Sequence, residues 1–372
     1  MHQGLFCFTV RSASLSLPPS SSFLRLHTAG HHCRTLSFIP RYTLMDAGNS
    51  PLIAKNSLAQ FRYCNVSGFK TELIEIRANK PTLHILFIPG NPGVVSFYTD
   101  FLEYLYELLR GTTSITAISH ISHSGKNWEH GRLFSLEEQI NHKLDFIKNE
   151  LQDNEVPLLL LGHSIGSYIS IEMFRRSPEK VTYCIGLYPF LAVDPKSAQQ
   201  SAIKKIVEYK FFPINSTYFI FRSPIMCSLV SSLVAFIGLL PRRASKFLIL
   251  KSIGRSWSST AIEALCNHLL QYHTVRNVLF LAMTEFQKLS EEPDWEFMKR
   301  KQRQLAFLFG ADDHWGPLHL LDEISKHVPG AAVAVEREGH THAFSCTKAG
   351  SLWVAQHVAS YIVKFQGKQT SD

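Results

Sequence analysis

Ser164 sits at the centre of a Gly-x-Ser-x-Gly pentapeptide, Gly162 to Gly166, which closes the run Leu158 to Gly166, LLLLGHSIG. An unbroken apolar run suits a strand covered on both faces, and the two glycines let strand and following helix close tightly around a strained serine. The chemistry of this spacing is attack on a carbonyl by a hydroxyl held at the carboxyl edge of a sheet. A hydroxyl is a weak nucleophile on its own. It needs a histidine to take its proton and a carboxylate to orient that histidine.

Both partners are expected later in the chain, each after a strand. Leu305 to Gly310, LAFLFG, is a second buried-strand run and leads into Ala311, Asp312, Asp313, His314 and Trp315. Asp313 is the preferred acid because an aromatic, Trp315, and a proline, Pro317, follow it; Asp312 is the alternative. Ala331 to Val335 is a short strand pattern followed by Glu336 to Phe344, EREGHTHAF. His342 is preferred to His340 because it leads directly toward the last helix, whereas His340 follows Gly339 in a turn.

Acyl transfer builds negative charge on the former carbonyl oxygen, which fixed backbone N–H groups must meet. Ile165, directly after the serine, is one expected donor. The other is expected after an early strand, Leu83 to Pro89 (LHILFIP), which runs into Gly90, Asn91, Pro92 and Gly93. Pro92 has no N–H to give, so Asn91 is the expected second donor, with glycines allowing close backbone approach.

These groups need a scaffold, and the hydrophobic periodicity supplies one. An edge strand is expected at Phe69 to Ile76. Phe97, Phe101, Leu105, Leu108 and Leu109 share a helix face, Ile115 to Ile118 makes a strand, and Leu136, Ile140, Leu144, Ile147 and Leu151 line another helix. Val181 to Leu187 follows as a strand, and a final helix spans Lys348 to Val363. Alternation of this kind gives a mostly parallel, doubly wound α/β sheet with ligands at the carboxyl ends of its strands.

From about residue 61 to 364 the chain resembles the lipid droplet-associated hydrolases, through FIPGNPG at 87 to 93, GHSIGSY at 162 to 168, and the downstream Asp-x-Trp and His-Ala-Phe pair. The resemblance implies the α/β-hydrolase fold and a serine esterase of the lipase type at the lipid droplet or endoplasmic reticulum surface. It further implies sterol esters or acylglycerols as substrates, and Ser164, Asp313 and His342 as the matching triad. No metal or organic cofactor is expected. An acyltransferase using the same triad, and a droplet scaffold with weak or vestigial activity, are the alternatives.

More than a hundred residues separate Leu187 from Leu305, too many for a direct crossover, so a helical cap insertion is expected at about 195–300. Within it, Ser223 to Pro241 (SPIMCSLVSSLVAFIGLLP) has no charge for nineteen residues and is bounded by Arg222 and by Arg242 with Arg243; Phe247 to Leu250 adds a second apolar patch. Its length is borderline for a span, and Pro224, the serines and Gly238 weaken that reading. A monotopic hairpin or interfacial helix with arginines at the headgroups is favoured over a lid helix buried on a lipid cleft, so residues 223–250 are the expected contact with a lipid droplet or membrane surface. Residues 259 to 289 read as a helix or helix pair, and Glu291 to Arg303 as a solvated connection.

The formal charge is +8, but the basic residues are scattered without an aromatic-basic module, which argues against nucleic acid. Seven cysteines show no spacing suited to zinc or thioredoxin chemistry and no small disulfide framework. Residues 1–45 hold four arginines, no lysine and no acid, many serines and adjacent prolines at 18 and 19. That composition reads either as an organellar transit segment, addressing the protein to a chloroplast or mitochondrion, or as an extension upstream of an alternative start at Met45. The expected organisation is a disordered extension over 1–45, one hydrolase-type domain over 46–364 and a flexible tail over 365–372.

Overall fold

The apolar runs become the interior strands of one eight-stranded sheet. The computed structural model describes residues 58–369, apart from 152–155, 208–209, 215–216, 222 and 254–255; the extension over 1–45 therefore lies outside the described residues. The first half alternates as β1 (Gln60–Val66), β2 (Phe69–Ile76), β3 (Leu83–Ile88), α1 (Thr99–Leu108), β4 (Thr113–Ile118), α2 (Leu136–Glu150), β5 (Leu158–His163), α3 (Ile165–Arg176) and β6 (Val181–Leu187). The insertion then contributes α4 (Ala198–Val207), a hairpin of β7 (Lys210–Ile214) and β8 (Thr217–Phe221), α5 (Ser223–Leu239), α6 (Arg242–Ile253), α7 (Ser259–Ala264), α8 (Tyr272–Lys288) and α9 (Trp295–Arg300). The chain returns to the sheet with β9 (Leu305–Gly310), α10 (Leu318–His327), β10 (Ala332–Glu336) and α11 (Lys348–Gln369).

The strand order is β1-β2-β4-β3-β5-β6-β9-β10. The first two strands are antiparallel to their neighbours, and every pair from β4 onward is parallel. Every residue of β5 and β9 is buried, as expected for strands covered on both faces. From β3 the chain steps to β4 on one side, then crosses back to β5 on the other. With right-handed crossovers this reversal sends α1 and α2 to opposite faces and leaves a crevice where the loops after β3 and β5 diverge. Those are the loops carrying Asn91 and Ser164. Helix α2 starts where Ser135 accepts from the Glu138 N–H while Glu138 returns the bond to the Ser135 N–H, a reciprocal cap that fixes the helix start.

Four expectations change. The edge strand is β1; Phe69–Ile76 pairs on both sides, with β1 and β4. Leu108 is off the buried face of α1 at 39% exposure, because the chain enters that helix through a 3₁₀ turn, Val95–Tyr98, that shifts the register. The stretch Glu291 to Arg303 contains α9, which buries Phe297 and Met298, so it is more than a solvated connection. Helix α11 continues to Gln369, past the start of the tail expected from 365.

Helix α8 anchors the insertion to the sheet side of the molecule. The Thr274 hydroxyl donates to the Ser124 carbonyl at 2.9 Å, and Asn277 accepts from the Phe134 N–H at 3.1 Å and donates to the Arg132 carbonyl at 3.0 Å. Helix α5 packs on α8, and near its end a Cβ at Gly238 would lie 2.5 Å from the carbonyl oxygen of Leu270, in the turn before α8.

Candidate active site

Ser164 has φ 56° and ψ −123°, a conformation that L side chains rarely adopt, between the end of β5 and the start of α3. Its N–H donates to the Leu187 carbonyl at 2.9 Å, and its carbonyl accepts from Ser167 and Phe190, so neighbouring backbone over-determines the turn. The flanking glycines are required by contact. A Cβ on Gly162 would lie 2.2 Å from the Gly166 carbonyl oxygen, and one on Gly166 would lie 2.3 Å from the Ile88 carbonyl oxygen. The side chain of Ser164 is thereby left at the rim, with 8% of the residue exposed.

Asp313 follows β9 and is buried; its Oδ1 accepts the Trp315 N–H at 2.9 Å. Both of its oxygens face His342 Nδ1, at 3.0 and 2.9 Å. With two carboxylate oxygens as the only acceptors there, Nδ1 carries the proton and Nε2 keeps its lone pair, the tautomer a general base needs. Of the two sequence candidates in each loop, Asp312 is exposed, and the His340 ring lies against Trp353 at 5.8 Å while its carbonyl accepts from Tyr188. The pair that meets is Asp313 and His342.

The His342 ring lies 4.8 Å from the ring of His163, the residue directly before Ser164. Asp313, His342 and Ser164 thus occupy one rim. Among the described residues Ser164 Oγ makes no hydrogen bond; in unliganded sites such bonds are often long and tighten only with substrate.

Ile165 opens α3, placing its N–H among the unsatisfied amides at a helix N-terminus, the favourable end for a developing anion. The loop after β3 lies against the serine: a Cβ on Gly90 would fall 3.0 Å from Ser164 Cβ. A Cβ on Gly93 would fall 2.2 Å from the His120 ring, and the Gly93 N–H donates to His123 Nδ1 at 2.8 Å. Burial, with Lys143 nearby, pushes His123 down to about 3 and keeps it a neutral acceptor. Asn91, the expected second donor, is tied to the cap by its Nδ2, which donates to the Val278 carbonyl at 2.9 Å.

Three features were missed from the sequence. Glu285 on α8 is buried beside Asn91, and burial pushes its carboxyl up to about 8, with the Asn91 amide pulling it partly back. Tyr98 and His163 form a buried hydrogen bond behind the serine. An aromatic wall surrounds the base: Trp315 and Tyr188 lie 6.2 and 6.0 Å from the His342 ring, and Phe190 and Phe286 pack on Trp315 at 5.3 and 6.4 Å. None of these has a local signal, since each contact joins residues far apart in the chain. The wall makes the space around the base apolar.

This combination of sheet, elbow and loops defines an α/β-hydrolase. Among solved structures, a haloalkane dehalogenase from Bradyrhizobium elkani aligns with TM-score 0.61 and 14% identity, covering 83% of this chain and 99% of its own. An epoxide hydrolase from Vigna radiata aligns with TM-score 0.55 and 16% identity, covering 82% of this chain and 99% of its own. At such identities these share the fold alone. Residues 81–345 match the sequence profile of the lipid-droplet associated hydrolases, and the chain belongs to that family. The lipid droplet-associated hydrolase of Gallus gallus is 28% identical over 287 residues, covering 72% of this chain and 81% of the relative. That of Dictyostelium discoideum is 27% identical over 291 residues, covering 74% and 86%. The protein is a hydrolase.

Proposed function

We propose that the protein is a serine esterase acting on apolar lipid esters, sterol esters or acylglycerols, at a lipid surface, with Ser164 as nucleophile, His342 as base and Asp313 as the group orienting it. The observation that carries this reading is the two-oxygen grip of Asp313 on His342 Nδ1, beside a serine held in a strained elbow. As Ser164 Oγ attacks the ester carbonyl, His342 Nε2 takes its proton and the N–H groups of Ile165 and Asn91 receive the oxyanion. His342 then protonates the departing alcohol. Water, deprotonated by the same imidazole, attacks the acyl-serine and releases the fatty acid. The steps balance without a cofactor, and the aromatic wall suits an uncharged acyl chain.

Helix α5 supports docking on a lipid droplet. Its inner stripe, Cys227, Ser231 and Val234, is buried, while Ile225, Leu229, Leu233 and Phe236 on the outer stripe are 57–63% exposed. A helix apolar on its solvent face needs a further partner. Phe247 on α6 is 64% exposed, and Arg242 and Arg243 open that helix; both are exposed, Arg242 pairing with Glu263, and Arg243 suits an anionic headgroup. No helix among the described residues is long and apolar enough to cross a membrane. The stripe also suits a droplet scaffold of low turnover.

Incubating purified wild type and Ser164→Ala with emulsified sterol esters and acylglycerols, and measuring fatty-acid release, tests the proposal. Release by wild type alone supports it. Equal release by both, or none from any ester, sinks it, and the second outcome favours the scaffold.

A further inference from the structure

Behind the serine, one buried relay joins the two loops that must act together. The Gly90 N–H donates to Tyr98 Oη at 3.1 Å, and Tyr98 Oη lies 2.8 Å from His163 Nδ1. Tyr98 and His163 are 4% and 5% exposed, so water does not compete for these contacts. A phenol carries one proton. The Gly90 bond occupies an oxygen lone pair, and His163 Nδ1 is the one acceptor that the described residues offer that proton, so Nδ1 accepts it. His163 is then fixed as the tautomer protonated on Nε2. That Nε2 is buried without a hydrogen-bond partner, on a ring that packs beside His342. The two imidazole rings are 4.8 Å apart and tilted by 44°.

We infer that His163 is a positioning residue: set by Tyr98 as the Nε2–H tautomer, its ring packs against that of His342 and so places the His342 imidazole beside Ser164. The same phenol holds Gly90, so the oxyanion loop and the base loop are registered through one side chain. Burial, with His342 alongside, holds His163 well below the usual imidazole range, so it stays neutral while His342 exchanges protons.

The inference rests on the serine-esterase reading for its catalytic consequence, but its first test does not. In ¹⁵N-histidine NMR of the full chain, His163, assigned by loss of its signals in His163→Gln, shows an unprotonated Nδ1 and a protonated Nε2 over the pH range in which the protein stays folded. A protonated Nδ1 overturns the inference, whatever the protein hydrolyses. The second test uses p-nitrophenyl butyrate. Tyr98→Phe and His163→Phe each lower kcat by about 10- to 100-fold with KM within about threefold, the range expected when a base is misplaced by about 1 Å. His163→Gln, which keeps an acceptor for Tyr98, retains at least tenfold more kcat than His163→Phe. Equal loss in the Gln and Phe variants reduces His163 to a space-filling role. If a variant fails to fold, the tautomer measured in wild type still decides. Failure of Ser164→Ala to abolish turnover removes the esterase reading and leaves the tautomer assignment standing.

Discussion

The sheet rim and the outer face of α5 treat apolar side chains in opposite ways. Around β5 and β9, apolar runs are buried on both faces, and several polar groups at the rim are paired: Asp313 with His342, Tyr98 with Gly90 and His163. On α5 the apolar residues continue right round the helix, and one stripe faces solvent. The rim is organised to hold a few atoms in fixed positions. The stripe has no such order, and its composition suits a surface that is itself disordered and apolar. On the proposed reading the rim carries the chemistry and the stripe the docking, and substitutions should separate the two.

The largest expected effect is at the rim. His342→Ala lowers kcat on a soluble ester by about 10⁴-fold or more, with Asp313→Ala close behind, while both proteins keep their binding to droplets. Flotation with phospholipid-coated triolein droplets checks the second half; loss of flotation would break the division. Steric demands rank next. Gly166→Ala pushes a Cβ to 2.3 Å from the Ile88 carbonyl oxygen and should cost about 3–5 kcal/mol, read as a fall in the denaturation midpoint. On the other side of the comparison, replacing Leu229, Leu233 and Phe236 together by serine should weaken droplet binding by about 100-fold, since burying each such side chain is worth about 1.5–3 kcal/mol when complete. Hydrolysis of the soluble ester stays within about twofold. Val234→Ser, on the buried stripe of the same helix, should instead lower stability with less effect on flotation.

The smallest effect sharpens the joint between the regions. Glu285 is pushed up to about 8 by burial, above the ordinary carboxyl value of 4.5. The folded protein then holds a proton that the unfolded chain releases, so Glu285 makes stability fall as pH rises from about 4.5 to about 8 and then level off. Glu285→Gln should flatten that part of the slope in denaturant titrations at several pH values. An unchanged slope would mean that Glu285 ionises freely beside Asn91.

Much of this was legible in the chain. LLLLGHSIG and LAFLFG read as buried strands because both faces are covered and no alternation interrupts them, and the pentapeptide read as an elbow because glycine alone fits there. Strand β1, QFRYCNV, escaped notice because an edge strand exposes most of its residues and loses the buried-run signal. Helix α9 was hidden by its charges, although Phe297 and Met298 anchor it. The choice of Asp313 over Asp312 followed loop spacing, and the geometry brings Asp313 to His342. The Tyr98–His163 bond and the Asn91–Glu285 contact were beyond reach, since they join residues 65 and 194 positions apart through folding alone.

Mass spectrometry of the peptide spanning residue 164, after treatment of the folded protein with a fluorophosphonate, tests the assigned nucleophile most directly. The account predicts a single phosphonate adduct on Ser164, formed at a rate that falls steeply in His342→Ala and absent in Ser164→Ala. An adduct on another residue, or undiminished labelling of Ser164→Ala, would contradict it.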